Sequence, residues 1–87
     1  MMAIRERRYE AQARVDWWMV LDQLAKAGSP FKRVCHELEL APSTVSGWKN
    51  EGKEPRHHDG ERLIVLWMAV TAKPREDVPV THRPPWL

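Results

Sequence analysis

Apolar residues recur at helical spacing along most of the chain, and the breaks in that rhythm mark out four candidate helices. Residues 5 to 27 contain neither Gly nor Pro and are rich in Ala, Arg, Glu, Leu and Gln, which predicts one long first helix. Trp17, Trp18, Leu21, Leu24 and Ala25 share a stripe of it, the expected core face. Gly28 suits the position just past a helix end, where φ turns positive. Ser29-Pro30 then reads as N-cap and first residue of a second helix that runs to about Leu38. On that helix Val34, Cys35 and Leu38 face inward, while Lys32, Arg33, His36 and Glu37 face water. After a short break at Glu39-Leu40-Ala41, Pro42 opens a third helix ending near Asn50, with Val45 and Trp48 inward. Gly52 and Pro55 make residues 51 to 58 a loop, and Asp59 is the expected cap of a fourth helix reaching about Ala72. No strand is expected. From Lys73 onward Pro74, Pro79, Pro84 and Pro85 predict an extended or disordered tail with Trp86 as an anchor. The chain thus divides into an all-α domain, residues 1–72, and a Pro-rich tail, residues 73–87.

Composition narrows the function classes. Hydrophobic content of 43% with 30% charged residues predicts a folded chain, and 87 residues hold a single small core of marginal stability. One cysteine excludes an internal disulfide, and no CxxC or HxxxH spacing offers a metal site, so neither metal nor cofactor is expected. That leaves a second copy of the chain as the expected source of added stability. The longest apolar run, Leu63 to Val70, falls far short of the roughly 20 residues that span a bilayer. A reduced, cytoplasmic, nucleoid-associated protein is expected. The net charge of +2 permits nucleic-acid binding without requiring it, so the placement of charge decides.

Residues Phe31 to Asn50 carry the most specific pattern. A helix-turn-helix needs a small residue where its helices cross, apolar residues that lock the crossing, and a turn of about three or four residues. Cys35 sits at the crossing, Val34, Leu38 and Leu40 precede or occupy the turn, and Val45 and Trp48 are the inward positions beyond it. The stretch Val34-Cys-His-Glu-Leu-Glu-Leu-Ala-Pro-Ser-Thr-Val-Ser-Gly-Trp-Lys49 resembles the helix-turn-helix of phage Cro and repressor proteins. The Glu-Gly-Lys-Glu-Pro that follows and the apolar fourth helix resemble that family too, so the likeness covers about residues 15 to 72. It implies a compact, lambda-repressor-like four-helix domain that binds double-stranded DNA as a transcriptional regulator, a repressor on an inverted-repeat operator. Two positions depart from the family pattern. Glu39 stands where Gly is usual, and is expected to take a helical or bridge conformation. Ala41 replaces the usual Ser or Thr cap, at a cost on the order of 1 kcal/mol.

The outward face of the third helix is expected to enter the major groove. Opposite Val45 lie Ser43, Ser46, Gly47 and Asn50, with Thr44 beside them; all are small or polar and none is acidic. Asn50 can pair bidentately with adenine; close approach to the DNA backbone or to a thymine methyl would account for a glycine at position 47, and so would simple drift. Lys32 and Arg33 lie in the first turn of the helix that crosses the DNA backbone in the resembled family. Lys49, Lys53 and Arg56 follow the recognition helix and are the other expected phosphate contacts. Arg5, Arg7 and Arg8 are expected to form an arm or to extend a helix towards DNA.

The fourth helix is apolar on two sides. Leu63, Leu66, Trp67 and Val70 are expected to cover the core, leaving Ile64, Val65, Met68 and Ala72 for a homodimer interface. The competing occupant of that stripe is the tail, through Val78, Val80 and Trp86. Two other functions share these features: a DNA-architectural or excisionase-like directionality factor, and an antitoxin-like module whose tail binds a protein partner. No arrangement of catalytic residues is present, and an enzyme is not expected. Cys35 reads as a small core residue, and His57-His58-Asp59 as cap and surface.

Overall fold

The computed structural model describes residues 13–82. Four α-helices follow one short strand: β1 (Arg14–Val15), α1 (Trp17–Lys26), α2 (Phe31–Leu38), α3 (Pro42–Asn50) and α4 (His57–Thr71). A 3-10 turn (Arg75–Asp77) and a second strand, β2 (Val80–Thr81), complete the described chain. The fold is therefore mostly helical, as expected, with a two-stranded antiparallel sheet that was not.

The long first helix is corrected. Residues 13 to 16 are not helical: Arg14 and Val15 pair with Thr81 and Val80. Asp16 ends the strand and starts the helix. Its backbone N–H donates to the Pro79 carbonyl (2.9 Å), while its carboxylate accepts from the Met19 N–H (3.0 Å) and caps α1. The part of the expected helix before residue 13 lies outside the described residues. The core stripe is rotated as well. Trp17, Val20, Leu21 and Leu24 are buried, whereas Trp18 is 47% exposed and Ala25 faces solvent. Gly28 leaves α1 at φ 103°, as the helix-end reading requires. Pro30, not Ser29, occupies the N-cap of α2, and buried Ser29 donates its N–H back to Leu24 (2.8 Å).

α2 and α3 are joined by Glu39, Leu40 and Ala41. Glu39 adopts a left-handed conformation (φ 53°, ψ 47°), not the helical or bridge geometry expected. Its N–H and that of Leu40 return to carbonyls of α2 and close the helix end. Arg62 reinforces the same point from α4, donating to the Leu38 carbonyl (2.8 Å). A cation there complements the negative end of the α2 dipole.

Trp67 is the largest fully buried side chain of a core in which Leu24, Leu63, Val20, Val34 and Val45 are fully buried too. Its indole N–H donates to Gln23 Oε1 (2.9 Å), so the polar edge of the ring is satisfied. α4 begins at His57, with Arg56 as N-cap; Asp59 lies inside the first turn and pairs with Arg62 (3.7 Å) instead of capping. Ile64, expected at a dimer interface, is buried in the chain's own core. Of the remaining stripe, Met68 is half-buried, while Val65 (60%) and Ala72 are exposed. The expectation of an extended or disordered tail is corrected as far as residue 82. Arg75 reaches back to Glu61 (2.6 Å), Val78 packs against the core, and β2 closes on β1. Trp86 lies outside the described residues.

Candidate nucleic-acid interface

α3 is amphipathic at short range. Val45 and Trp48 bury its inner side, while Ser43, Thr44 and Asn50 are exposed and Ser46 is half-exposed. Asn50 Nδ2 donates to Ser46 Oγ one turn back (3.3 Å), which leaves its second N–H and its Oδ1 free to meet a base edge. Gly47 does not belong to this outer face. It is buried, and a Cβ there would meet Lys53 Cδ at 3.1 Å. The loop after α3 folds back so that Lys53 donates its backbone N–H to the Gly47 carbonyl (3.1 Å) and lays its stem over the glycine. The glycine thus makes room for Lys53, and its expected place on the groove-facing surface is corrected.

Beside the start of α3 lies an open cleft of about 370 Å³, lined by Ser43, Thr44, Trp48, Lys53, Glu54, Arg56 and Asp59. The N-termini of α3 and α4 both carry no side-chain cap, because Ala41 and Arg56 occupy the N-cap positions. Uncapped N-termini present free N–H groups and the positive end of the helix dipole, a setting that favours anions. Both acids of the cleft are already engaged. Glu54 pairs with Arg14 and accepts from the Trp17 indole (3.5 Å); Asp59 pairs with Arg62. Arg56 makes no ion pair among the described residues, and Lys53 pairs with Glu51 (3.3 Å) only at the surface. The cleft therefore presents more positive than negative free charge.

The other expected phosphate contacts lie on α2 and α3. Lys32 and Arg33 are exposed on the first turn of α2; Arg33 approaches Glu37 at 4.0 Å, while Lys32 has no ion-pair partner among the described residues. Lys49 is half-exposed near the end of α3. Arg14 and Glu54 were not singled out from the sequence, yet they tie the first strand to the cleft. Nothing local in the sequence signals a pair so far apart along the chain.

No family model, curated protein or solved structure matches this chain. Among the described residues no three His, Cys, Asp or Glu side chains gather as a metal site would need, and no helix is long and apolar enough to cross a membrane. His57 and His58 are exposed on the first turn of α4. Cys35 is buried, and burial pushes its thiol pKa up, against a smaller lowering by a backbone hydrogen bond. A buried thiol held in its neutral form is a poor nucleophile.

Proposed function

We propose that the chain binds double-stranded DNA sequence-specifically, with α2 and α3 acting as a helix-turn-helix and α3 lying in the major groove. The observation that carries this proposal is the outer face of α3: small or polar, free of acids, with an uncapped helix start, Lys49 on the helix itself and Arg56 in the adjoining cleft. Base edges need close approach and mixed donors and acceptors, which Ser43, Thr44, Ser46 and Asn50 offer. Phosphates need the surrounding cations and N–H groups. The resemblance of Val34 to Lys49 to phage Cro and repressor proteins points the same way, towards a transcriptional repressor. A regulator of this kind acts by occupying a promoter. Paired on a second copy through Val65, Met68 and Ala72, it would set two recognition helices about 34 Å apart on an inverted repeat.

The test is enrichment of bound sequences from a randomised duplex pool, followed by salt titrations on the selected and a random duplex. Asn50→Ala is expected to cost about 1–3 kcal/mol on the selected duplex and to relax preference at one base pair. Lys32→Ala is expected to weaken binding to both and to lower the salt slope by about one unit. Unchanged affinity in both variants would remove α3 from the groove. Sedimentation of the parent and Val65→Glu tests the pairing: a parent that stays monomeric at micromolar concentration excludes it.

A further inference from the structure

Ser46 and Asn50 stand four residues apart on α3, the spacing at which side chains meet on one face of a helix. Each side chain leaves its Cα tilted towards the helix start, so Asn50 leans back over Ser46. Buried Val45 and Trp48 hold the phase of α3 and keep this pair on the outer side. The Asn50 Nδ2–H donates to Ser46 Oγ at 3.3 Å. A carboxamide carries two N–H donors at one end and an acceptor oxygen at the other. With one donor engaged, the amide is held against a half-turn about its Cβ–Cγ bond, and one donor and one acceptor are left facing outward. In the major groove adenine offers an acceptor, N7, beside a donor, N6–H; guanine offers two acceptors, N7 and O6. The amide so held matches adenine at both groups and sets its oxygen against guanine O6.

We propose that Ser46 is a specificity-determining residue that acts through Asn50: by holding the amide it commits α3 to adenine and against guanine at the base pair Asn50 meets. The proposal rests on the DNA-binding reading of α3, and it gives Ser46 a positioning role in place of a base contact of its own. The amide torsion is broad and roughly two-fold, so an Asn50 without the hydroxyl turns over freely. Turning over exchanges Oδ1 and Nδ2 and brings a donor to guanine O6, which removes the discrimination. Inside the groove the pair loses its water. That strengthens the Asn50–Ser46 bond and makes an oxygen facing an oxygen more costly. The contact is therefore worth more in the complex than on the free surface, where both side chains have water to bond.

The experiment uses the full chain as the parent, Ser46→Ala, Asn50→Ala and Ser46→Ala/Asn50→Ala. Alanine is the better helix former, so α3 is kept in each. The parent and Asn50→Ala are selected on a randomised duplex pool, which identifies the base pair whose preference Asn50→Ala relaxes. Affinities of all four are then measured on duplexes that differ only there. The parent is expected to favour adenine over guanine by about tenfold or more. Ser46→Ala is expected to bind the two within about threefold of each other, with an unchanged salt slope. On the Asn50→Ala background, loss of the Ser46 hydroxyl is expected to leave the ratio unchanged. A Ser46→Ala variant with the parent's ratio overturns the proposal. An equal effect of Ser46→Ala on both backgrounds overturns it too, because Ser46 then reads a base itself. So does a parent that prefers guanine, because the amide is then held the other way round. A parent that enriches no sequence overturns the DNA reading beneath the proposal, a result distinct from the other three.

Discussion

Replacing Gly47 with Ala separates two effects that meet at one point of α3. Within a helix Gly is less favourable than Ala by about 0.8–1.0 kcal/mol, and the backbone at Gly47 is helical, so the substitution gains most of that amount. Opposing it is the contact of the new Cβ with Lys53 Cδ at 3.1 Å; Lys53 Cβ and Cγ lie at an unforced 3.9 Å. The crowded atom is a methylene of a side chain 69% exposed, which can swing outward. Swinging it out breaks the surface pair with Glu51, and exposed pairs contribute only about 0.2–1 kcal/mol. The balance is a gain of about 0.5 kcal/mol, or about 2–4 °C in Tm for a domain of this size. Urea and thermal unfolding followed by tryptophan fluorescence measure it. On a Lys53→Ala background the same substitution is expected to gain the full helix term of about 1 kcal/mol, because the crowding partner is gone. If Gly47→Ala destabilises the protein on that background too, Lys53 is not what the glycine accommodates. The DNA-binding arm of the experiment expects Gly47→Ala/Lys53→Ala to bind like Lys53→Ala, since Gly47 is buried under Lys53 and does not face the groove.

Three further substitutions probe the rest of the fold. Glu39→Gly is expected to stabilise by about 0.5–1 kcal/mol, because a left-handed conformation strains residues with a Cβ; a lower urea midpoint than the parent's would refute this. Trp67→Ala removes the largest fully buried side chain and leaves Gln23 without its donor, at about 3–5 kcal/mol, enough to unfold much of a small domain and abolish its near-ultraviolet circular dichroism. The hydrogen bond from Arg75 holds the Glu61 carboxyl below its ordinary pKa, so the tie stabilises the return segment above the usual carboxylate range and is lost as pH falls through the lowered value. NMR signals of Val78 and Val80 are expected to shift over that range in the parent and not in Glu61→Gln; equal titration in both excludes Glu61 as the cause.

The helices were legible where local signals decide them. Pro42 at the first turn, the inward pair Val45 and Trp48, and Gly28 past the end of α1 each act within one or two turns of their own position. The errors came from partners distant in sequence. Arg14 and Val15 lie in a stretch with high helix propensity and become a strand because Val80 and Thr81 arrive beside them from the far end of the chain. Asp16 carried a readable cap signal, but without a Gly or Pro before it nothing marked a break. The helical stripe of Trp17, Trp18, Leu21, Leu24 and Ala25 puts Trp18 on the expected core face. The phase of α1 is set by Val20, smaller and fully buried, and leaves Trp18 outside. One side of α4 looks sufficient for the core, which leaves Ile64 to a partner; in the fold Ile64 is buried in the chain's own core, against which Val78 of the return segment also packs. At the candidate interface, the polar face of α3 followed from spacing alone. The burial of Gly47 did not, because it depends on how the following loop folds back.

The direction in which the ends of the sheet point has a mechanical consequence. Antiparallel partners with both chain ends on one side lie in an unzipping geometry: tension applied between the segment before Arg14 and the segment after Thr81 loads the ladder bonds one at a time, not all together. With two residues in each strand, few bonds resist. Under load the sheet parts first, and the helices around Trp67 bear force only afterwards. The first side-chain contact at risk is Arg14 with Glu54, so a pull on the chain ends would be felt at the cleft before it disturbs the core.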